Sequence, residues 1–184
     1  MYSIRKILAI SGSTRQNSTN HRLIKAIAEI SKDIFELQFY NDISSLPHFN
    51  PDNDNEHVDK EVIHFRQLLN EADGIIICTP EYAHGVPGTL KNAIDWTVGT
   101  NEFYHKPTML ITASTDGKKG HESLLETLRV IEAKNIDTLH LIISFASTKI
   151  NTDNRISDDK TLQSVKNLLK NFQKTINENV EKTE

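Results

Sequence analysis

Cysteine is all but absent from this chain. Cys78 is the only one among 184 residues, so no internal disulfide can form, and a cysteine-rich zinc site or secreted disulfide scaffold is excluded. An excess of basic charge is also lacking. The 21 Lys and Arg stand against 25 Asp and Glu, a formal net charge of −4, which argues against nucleic acid as a partner. No apolar run approaches the ~20 residues of a membrane span. Arg5 and Lys6 precede Ile7-Leu8-Ala9-Ile10, but that run is too short for a signal-peptide core and leads into a Ser/Gly stretch rather than a cleavage site. A cytoplasmic protein that engages neither membrane nor nucleic acid is expected. Several catalytic signatures are missing as well: the Gly-Lys-Ser/Thr phosphate loop, G-x-G-x-x-G, and a G-x-S-x-G nucleophile turn. None of the eight histidines pairs as H-x-H or H-x-x-x-H, so they read as surface or core residues and no metal is expected. Cys78 has no Arg six positions on, where a cysteine phosphatase needs one; it reads as an inert thiol closing a core strand.

What is present alternates. Ile4 to Ile10 is a strand candidate, and Ile34 to Tyr40 has period two, with Phe35, Leu37 and Phe39 on one face. Asp73 to Thr79, Pro107 to Ala113 and Thr138 to Phe145 carry the continuous apolar runs of strands buried on both faces. Between them lie helical stripes: Leu23, Ile27 and Ile30; then Val58, Val62, Phe65, Leu69 and Ala72. A third helix opens at Pro87, taken as its first residue, and runs through Leu90, Ala93 and Ile94. Leu124, Leu128 and Ile131 mark a fourth, and Leu162 to Ile176 a fifth. The polar residues Glu181 to Glu184 read as a frayed end. Strict βα alternation implies a parallel sheet covered by helices on both faces. The expectation is therefore one domain over residues 1–184, an α/β three-layer sandwich with a five-stranded parallel sheet in the flavodoxin-like order 2-1-3-4-5.

Such a sheet binds ligands where its order reverses, beyond the carboxyl ends of strands one and three. Two loops lie there. Ser11 to Asn20 offers hydroxyls, amides, the Arg15 guanidinium and the N–H groups of a starting helix, the parts of a monophosphate site. The same residue types also serve as plain helix caps. Thr79 to Gly88 carries two prolines for stiffness and two glycines for close backbone approach, suited to the polar edge of a flat heterocycle or to a structural turn. Five of the seven glycines fall in loops at the carboxyl ends of strands. The long segment Asn41 to Glu56 reads as a lid, an interface or a surface loop.

Three of these segments resemble the NAD(P)H-dependent FMN reductases, flavodoxin-like enzymes. Gly12-Ser13-Thr14-Arg15 with Ser18 and Asn20 is similar to their phosphate loop G-S-x-R-x-x-S-x-N. Pro80-Glu81-Tyr82, continuing to Pro87-Gly88 and Leu90-Lys91-Asn92-Ala93-Ile94-Asp95-Trp96, is similar to their isoalloxazine loop and following helix, and Leu46-Pro47-His48-Phe49-Asn50 to a D-L-P-x-F-N segment. Ala83 departs from the family, many of whose members have Asn there, and the loop Ser114 to His121 is more charged than the family's. The resemblance implies FMN, with its phosphate on Ser13, Arg15, Ser18, Thr19 and Asn20. Its ring would lie against Pro80, Glu81, Tyr82, Ala83, His84 and Gly85, with Ser114, Asp116 and Gly117 close by. It further implies NADPH or NADH as hydride donor, a flavin, quinone or azo-type small molecule as acceptor, ping-pong turnover without a protein acid or base, and a homodimer or homotetramer. Trp96, Phe103 and Tyr104 are candidates for the subunit contact or for the core. A flavodoxin-type electron carrier is the alternative activity.

Overall fold

The computed structural model describes residues 4–180. Five parallel strands form one sheet: β1 (Arg5–Ser11), β2 (Phe35–Tyr40), β3 (Gly74–Thr79), β4 (Thr108–Ser114) and β5 (His140–Ser144). Their spatial order is β2-β1-β3-β4-β5, so the expected topology is what the chain adopts. All six residues of β3 are buried, as its unbroken apolar run requires of a central strand. At the β2 edge the Phe35 face is the better covered: Phe35 is buried, and Leu37 and Phe39, partly buried, pack against the same core.

Two cores result, one per face of the sheet. Helices α1 (Thr19–Ser31) and α6 (Asp159–Val180) place Leu23, Ile27, Val165, Leu169, Phe172 and Ile176 over Ile7, Ala9, Ile76 and Ile111. On the opposite face α2 (Lys60–Glu71), α3 (Gly88–Asp95) and α4 (Lys118–Val130) contribute Val62, Phe65, Leu69, Leu90, Ile94, Leu124 and Leu128. The apolar stripes read from the sequence are the buried faces. No helix among the described residues is long and apolar enough to cross a membrane.

Several boundaries differ from the sequence reading. Pro87 is the N-cap of α3, with ψ 131°, rather than its first helical residue. The fifth strand starts at His140 because residues 135–139 form a turn, with the N–H groups of Thr138 and Leu139 both bonded to Asn135 O. It stops at Ser144 because Phe145 turns to a left-handed φ of 52° and opens an unforeseen short helix, α5 (Ala146–Lys149). The expectation for Glu181 to Glu184 lies outside the described residues.

The long β2–α2 connection is tied down. Pro47 O accepts from Asn92 Nδ2 at 2.9 Å and from Trp96 Nε1 at 2.8 Å, and the Phe49 N–H donates to Asn92 Oδ1 at 2.7 Å. Arg66 bridges both carboxylate oxygens of Asp54, at 2.9 and 2.8 Å, and donates through Nε to Trp96 O at 2.8 Å. Trp96 and Phe103 are each only 1% exposed. They are core residues, and of the aromatic cluster expected at a subunit contact only Tyr104 reaches the surface.

Candidate functional site

The carboxyl ends of β1, β3 and β4 open onto one cavity of about 320 Å³. Its first wall is the β1–α1 loop. Gly12 donates its N–H to Cys78 O at 2.8 Å, and a Cβ there would lie 2.3 Å from Thr79 Oγ1, so only glycine lets the loop cross β3 this closely. Short-range hydrogen bonds then shape the loop. Ser11 Oγ accepts the Ser13 N–H at 3.1 Å, Ser13 Oγ accepts the Arg15 N–H at 3.4 Å, and Arg15 O accepts the Ser18 N–H at 3.2 Å. Ser18 caps α1 by accepting the Asn20 N–H at 3.0 Å, and the first turn of that helix contains no acidic residue. A helix N-terminus without its own carboxylate favours an external anion. Asn20 is 3% exposed; its Nδ2 donates to Ala113 O at 3.1 Å, while its Oδ1 is buried without a partner.

The second wall is the β3–α3 loop. Pro80, Glu81 and Tyr82 line the cavity. Beyond them Tyr82 and Gly85 exchange N–H···O bonds of 3.1 and 2.9 Å around Ala83 and His84, both at positive φ (48° and 58°). This is a two-residue turn of the I′ kind, built without glycine at its centre. The Glu81 carboxylate accepts the Gly120 N–H at 2.6 Å.

The third wall departs most from expectation. Ser114 lines the cavity as anticipated, but so do its neighbours Ala113 and Thr115 and, from α5, Ala146 and Ser147. Ala83, His84 and Gly85 form the tip of the turn, and they, Asp116 and Gly117 lie outside the lining. Asp116 offers its carbonyl to Ser144 Oγ at 3.1 Å, and Gly117, at φ 91°, is the N-cap of α4. Thus Ser13, Arg15, Ser18, Thr19, Asn20, Pro80, Glu81, Tyr82 and Ser114 come together as the sequence reading placed them. Ala146 and Ser147 had no signal, because α5 itself had none.

Arg15 is the one cationic side chain in this lining. Among the described residues no group of three or more His, Cys, Asp or Glu could hold a metal ion. Burial pushes the Cys78 thiol far up, so it is neither nucleophile nor ligand at ordinary pH. Close to the site, under the α4 end, Thr112 Oγ1, His121 and His140 form a hydrogen-bonded chain, with contacts of 2.8 and 2.9 Å. The cavity offers a guanidinium and an acid-free helix N-terminus on one wall, the parts of an anion site, and a stiff turn on another.

Comparison with known proteins agrees with this geometry. The family model for NADPH-dependent FMN reductase matches residues 5–148. The chain is 29% identical to an NADH-dependent flavin reductase subunit 2 of Lactobacillus johnsonii, across 93% of this chain and 97% of that one. It is 30% identical to an NAD(P)H-dependent FMN reductase of Pseudomonas aeruginosa, across 91% and 93%. Among solved structures, the flavoenzyme NAD(P)H:(acceptor) oxidoreductase FerB from Paracoccus denitrificans superposes with a TM-score of 0.78 at 23% identity, covering 95% of this chain and 98% of that one.

Proposed function

The chain belongs to the NADPH-dependent FMN reductase family, and from that premise we propose that residues 1–184 act as one FMN-binding domain in the cytoplasm. The domain takes hydride from NADPH or NADH and passes the electrons to a flavin, quinone or azo-type acceptor by ping-pong turnover. The observation that carries this reading is the unpartnered buried Asn20 Oδ1 in a cavity that Arg15 also lines, at an acid-free helix start. A phosphate ester attached to a polyhydroxyl chain answers both: the anion pairs with Arg15 and the α1 N-terminus, and a hydroxyl donates to Asn20. Bound FMN supplies the hydride-accepting chemistry, so the chain needs no acid or base of its own for that step.

The roles of the residues follow from where they sit. Ser13, Arg15, Ser18, Thr19 and Asn20 hold the phosphate end, and Pro80, Glu81, Tyr82 and Ser114 border the ring end. The exposed side of Tyr82, half of its surface, leaves room for a nicotinamide and then an acceptor to use the same face in turn. Val98 and Tyr104, 54% and 52% exposed just past α3, support a subunit contact in a homodimer or homotetramer.

Titration with FMN, followed by flavin fluorescence, tests the cofactor. Saturable binding at micromolar flavin is the expected result, and no change would end the reading. With FMN-loaded protein, initial rates of NAD(P)H oxidation at several acceptor concentrations should give parallel double-reciprocal lines. Intersecting lines would refute ping-pong turnover, and no oxidation at all would favour an electron carrier.

A further inference from the structure

We propose that Glu81 is a positioning residue whose buried carboxylate locks the ring-side turn onto the first turn of α4, so that two walls of the cavity move as one. The proposal deepens the FMN reading and rests on it. It begins with a defect in α4. The N-cap of this helix is Gly117, which has no side chain to accept a first-turn N–H, and the turn contains no acidic residue. Its first two helical positions are instead Lys118 and Lys119, cations at the end of the helix where the backbone is already positive. Left alone, this helix start is poorly terminated.

Glu81 corrects it from 39 residues away. Its side chain is only 7% exposed, and its Oε2 accepts the N–H of Gly120, the third helical residue and the usual target of an N-cap side chain, at 2.6 Å. Two further contacts join the same surfaces. The Glu81 N–H donates to Ser114 Oγ at 3.3 Å. A Cβ at Gly120 would lie 3.0 Å from Gly85 O and 3.1 Å from Glu81 Cγ, so the turn rests directly on the helix backbone. His84 Nδ1, 3.6 Å from Glu81 Oε1, places the exposed imidazole over the same carboxylate.

The lock has something to hold. Ala83 and His84 sit side by side in the left-handed region, where a Cβ is unfavourable, and such geometry persists only when its surroundings enforce it. Freed from α4, the turn would relax and carry Tyr82 with it, and Ser114 and Thr115 would lose their brace. The phosphate end would be unaffected, because its hydrogen bonds lie mostly within residues 11–20 and its ties across the fold run to Cys78 and Ala113, not to α4.

That asymmetry defines the test. FMN and riboflavin share the ring and differ in the phosphate. Glu81→Ala should weaken both by the same factor, about 2- to 30-fold, the affinity equivalent of losing a helix cap. Glu81→Gln keeps an acceptor oxygen at the same reach and should recover binding to within about threefold of wild type. Amide exchange on the flavin-free proteins should show faster exchange at residues 118–121 in Glu81→Ala, but not in Glu81→Gln. Unchanged riboflavin affinity in Glu81→Ala, a loss confined to FMN, or a Gln variant as weak as the Ala variant would each overturn the proposal. If wild-type protein binds neither flavin, the FMN reading fails. The exchange experiment still decides the lock, and unchanged protection at 118–121 refutes it.

Discussion

His121 should make this protein lose stability on mild acidification, by an amount that follows from its surroundings. The residue is 2% exposed in the first turn and a half of α4. Its Nδ1 lies 2.8 Å from Thr112 Oγ1 on β4, and its Nε2 lies 2.9 Å from His140 Nδ1 on β5. Burial, and then the charge of His140, push its pKa from 6.5 down to about 4. A second proton would also oblige a nitrogen that now accepts to become a donor. The sign is set by which state takes up the proton first. Between the two pKa values the unfolded chain binds it and the folded chain does not, so stability is complete above about pH 6.5 and falls as the pH drops toward about 4. Each pH unit in that window costs up to about 1.4 kcal/mol, and the full interval about 3 kcal/mol. Against a typical domain stability of about 5–15 kcal/mol, that is readily measured. Urea melts at about pH 7.5, 6 and 5 should show a falling midpoint for the wild type, and a flatter profile for His121→Gln, which cannot titrate. Identical pH profiles for the two proteins would refute the assignment.

Three other outcomes are expected. Arg15→Ala removes a charge-assisted hydrogen bond worth roughly 1.5–3 kcal/mol, so FMN affinity should fall about 10- to 150-fold while riboflavin affinity holds; equal losses would show that Arg15 shapes the loop instead. Arg66→Ala should destabilise the protein by about 2–4 kcal/mol and expose the β2–α2 connection to proteolysis, because it leaves Asp54 and the Trp96 carbonyl without their partner; a variant as stable and protease-resistant as wild type would contradict this. Light scattering should give a mass above the 20.9 kDa of one chain, and charging the exposed face with Val98→Asp should lower it; a monomeric wild type would refute the assembly.

The sheet was legible because its signal is local and redundant. Ile75-Ile76-Ile77-Cys78 can be buried on both faces only in a central strand, and the helical stripes lie in register with the surfaces they cover. Element ends were harder. The break at Phe145 depends on an aromatic residue taking a left-handed φ that its type disfavours, held there by its N–H to Thr115 O at 3.1 Å and by Thr148 Oγ1 to its own carbonyl at 2.8 Å. The Thr115 partner is not visible from the local pattern, so the strand was expected to include Phe145, and α5 after it was not foreseen. Trp96 and Phe103 could be read as core or as subunit contact for a related reason. Both follow the third helix like interface anchors, but the β2–α2 connection, through Pro47 and Phe49, comes back to cover Trp96.

Under the proposed function the cavity has a phosphate end and a ring end, and the two differ in the same way. The phosphate end is assembled by contacts between residues two or three apart: Ser11 with Ser13, Ser13 with Arg15, Arg15 with Ser18, and Ser18 with Asn20. A motif of fixed spacing encodes such geometry almost completely, and its five expected residues all line the cavity. The ring end is assembled across the fold. Glu81 reaches Ser114 and Gly120, Asn20 reaches Ala113, and Phe145 reaches Thr115. Here the residue types named the right loops, but the direction of each side chain depended on partners dozens of positions away. Glu81 lines the cavity as expected and also accepts from the first turn of α4, while Asp116 and Gly117, also expected at the ring, lie outside the lining, the one offering its carbonyl to Ser144 and the other capping α4. The phosphate end therefore depends mostly on its own short motif, with ties to Cys78 and Ala113, and a change at α4 should leave it intact. The ring end depends on the docking of α4, so substitutions in the 114–121 loop, far from the flavin motif in sequence, should change ring affinity and acceptor preference first.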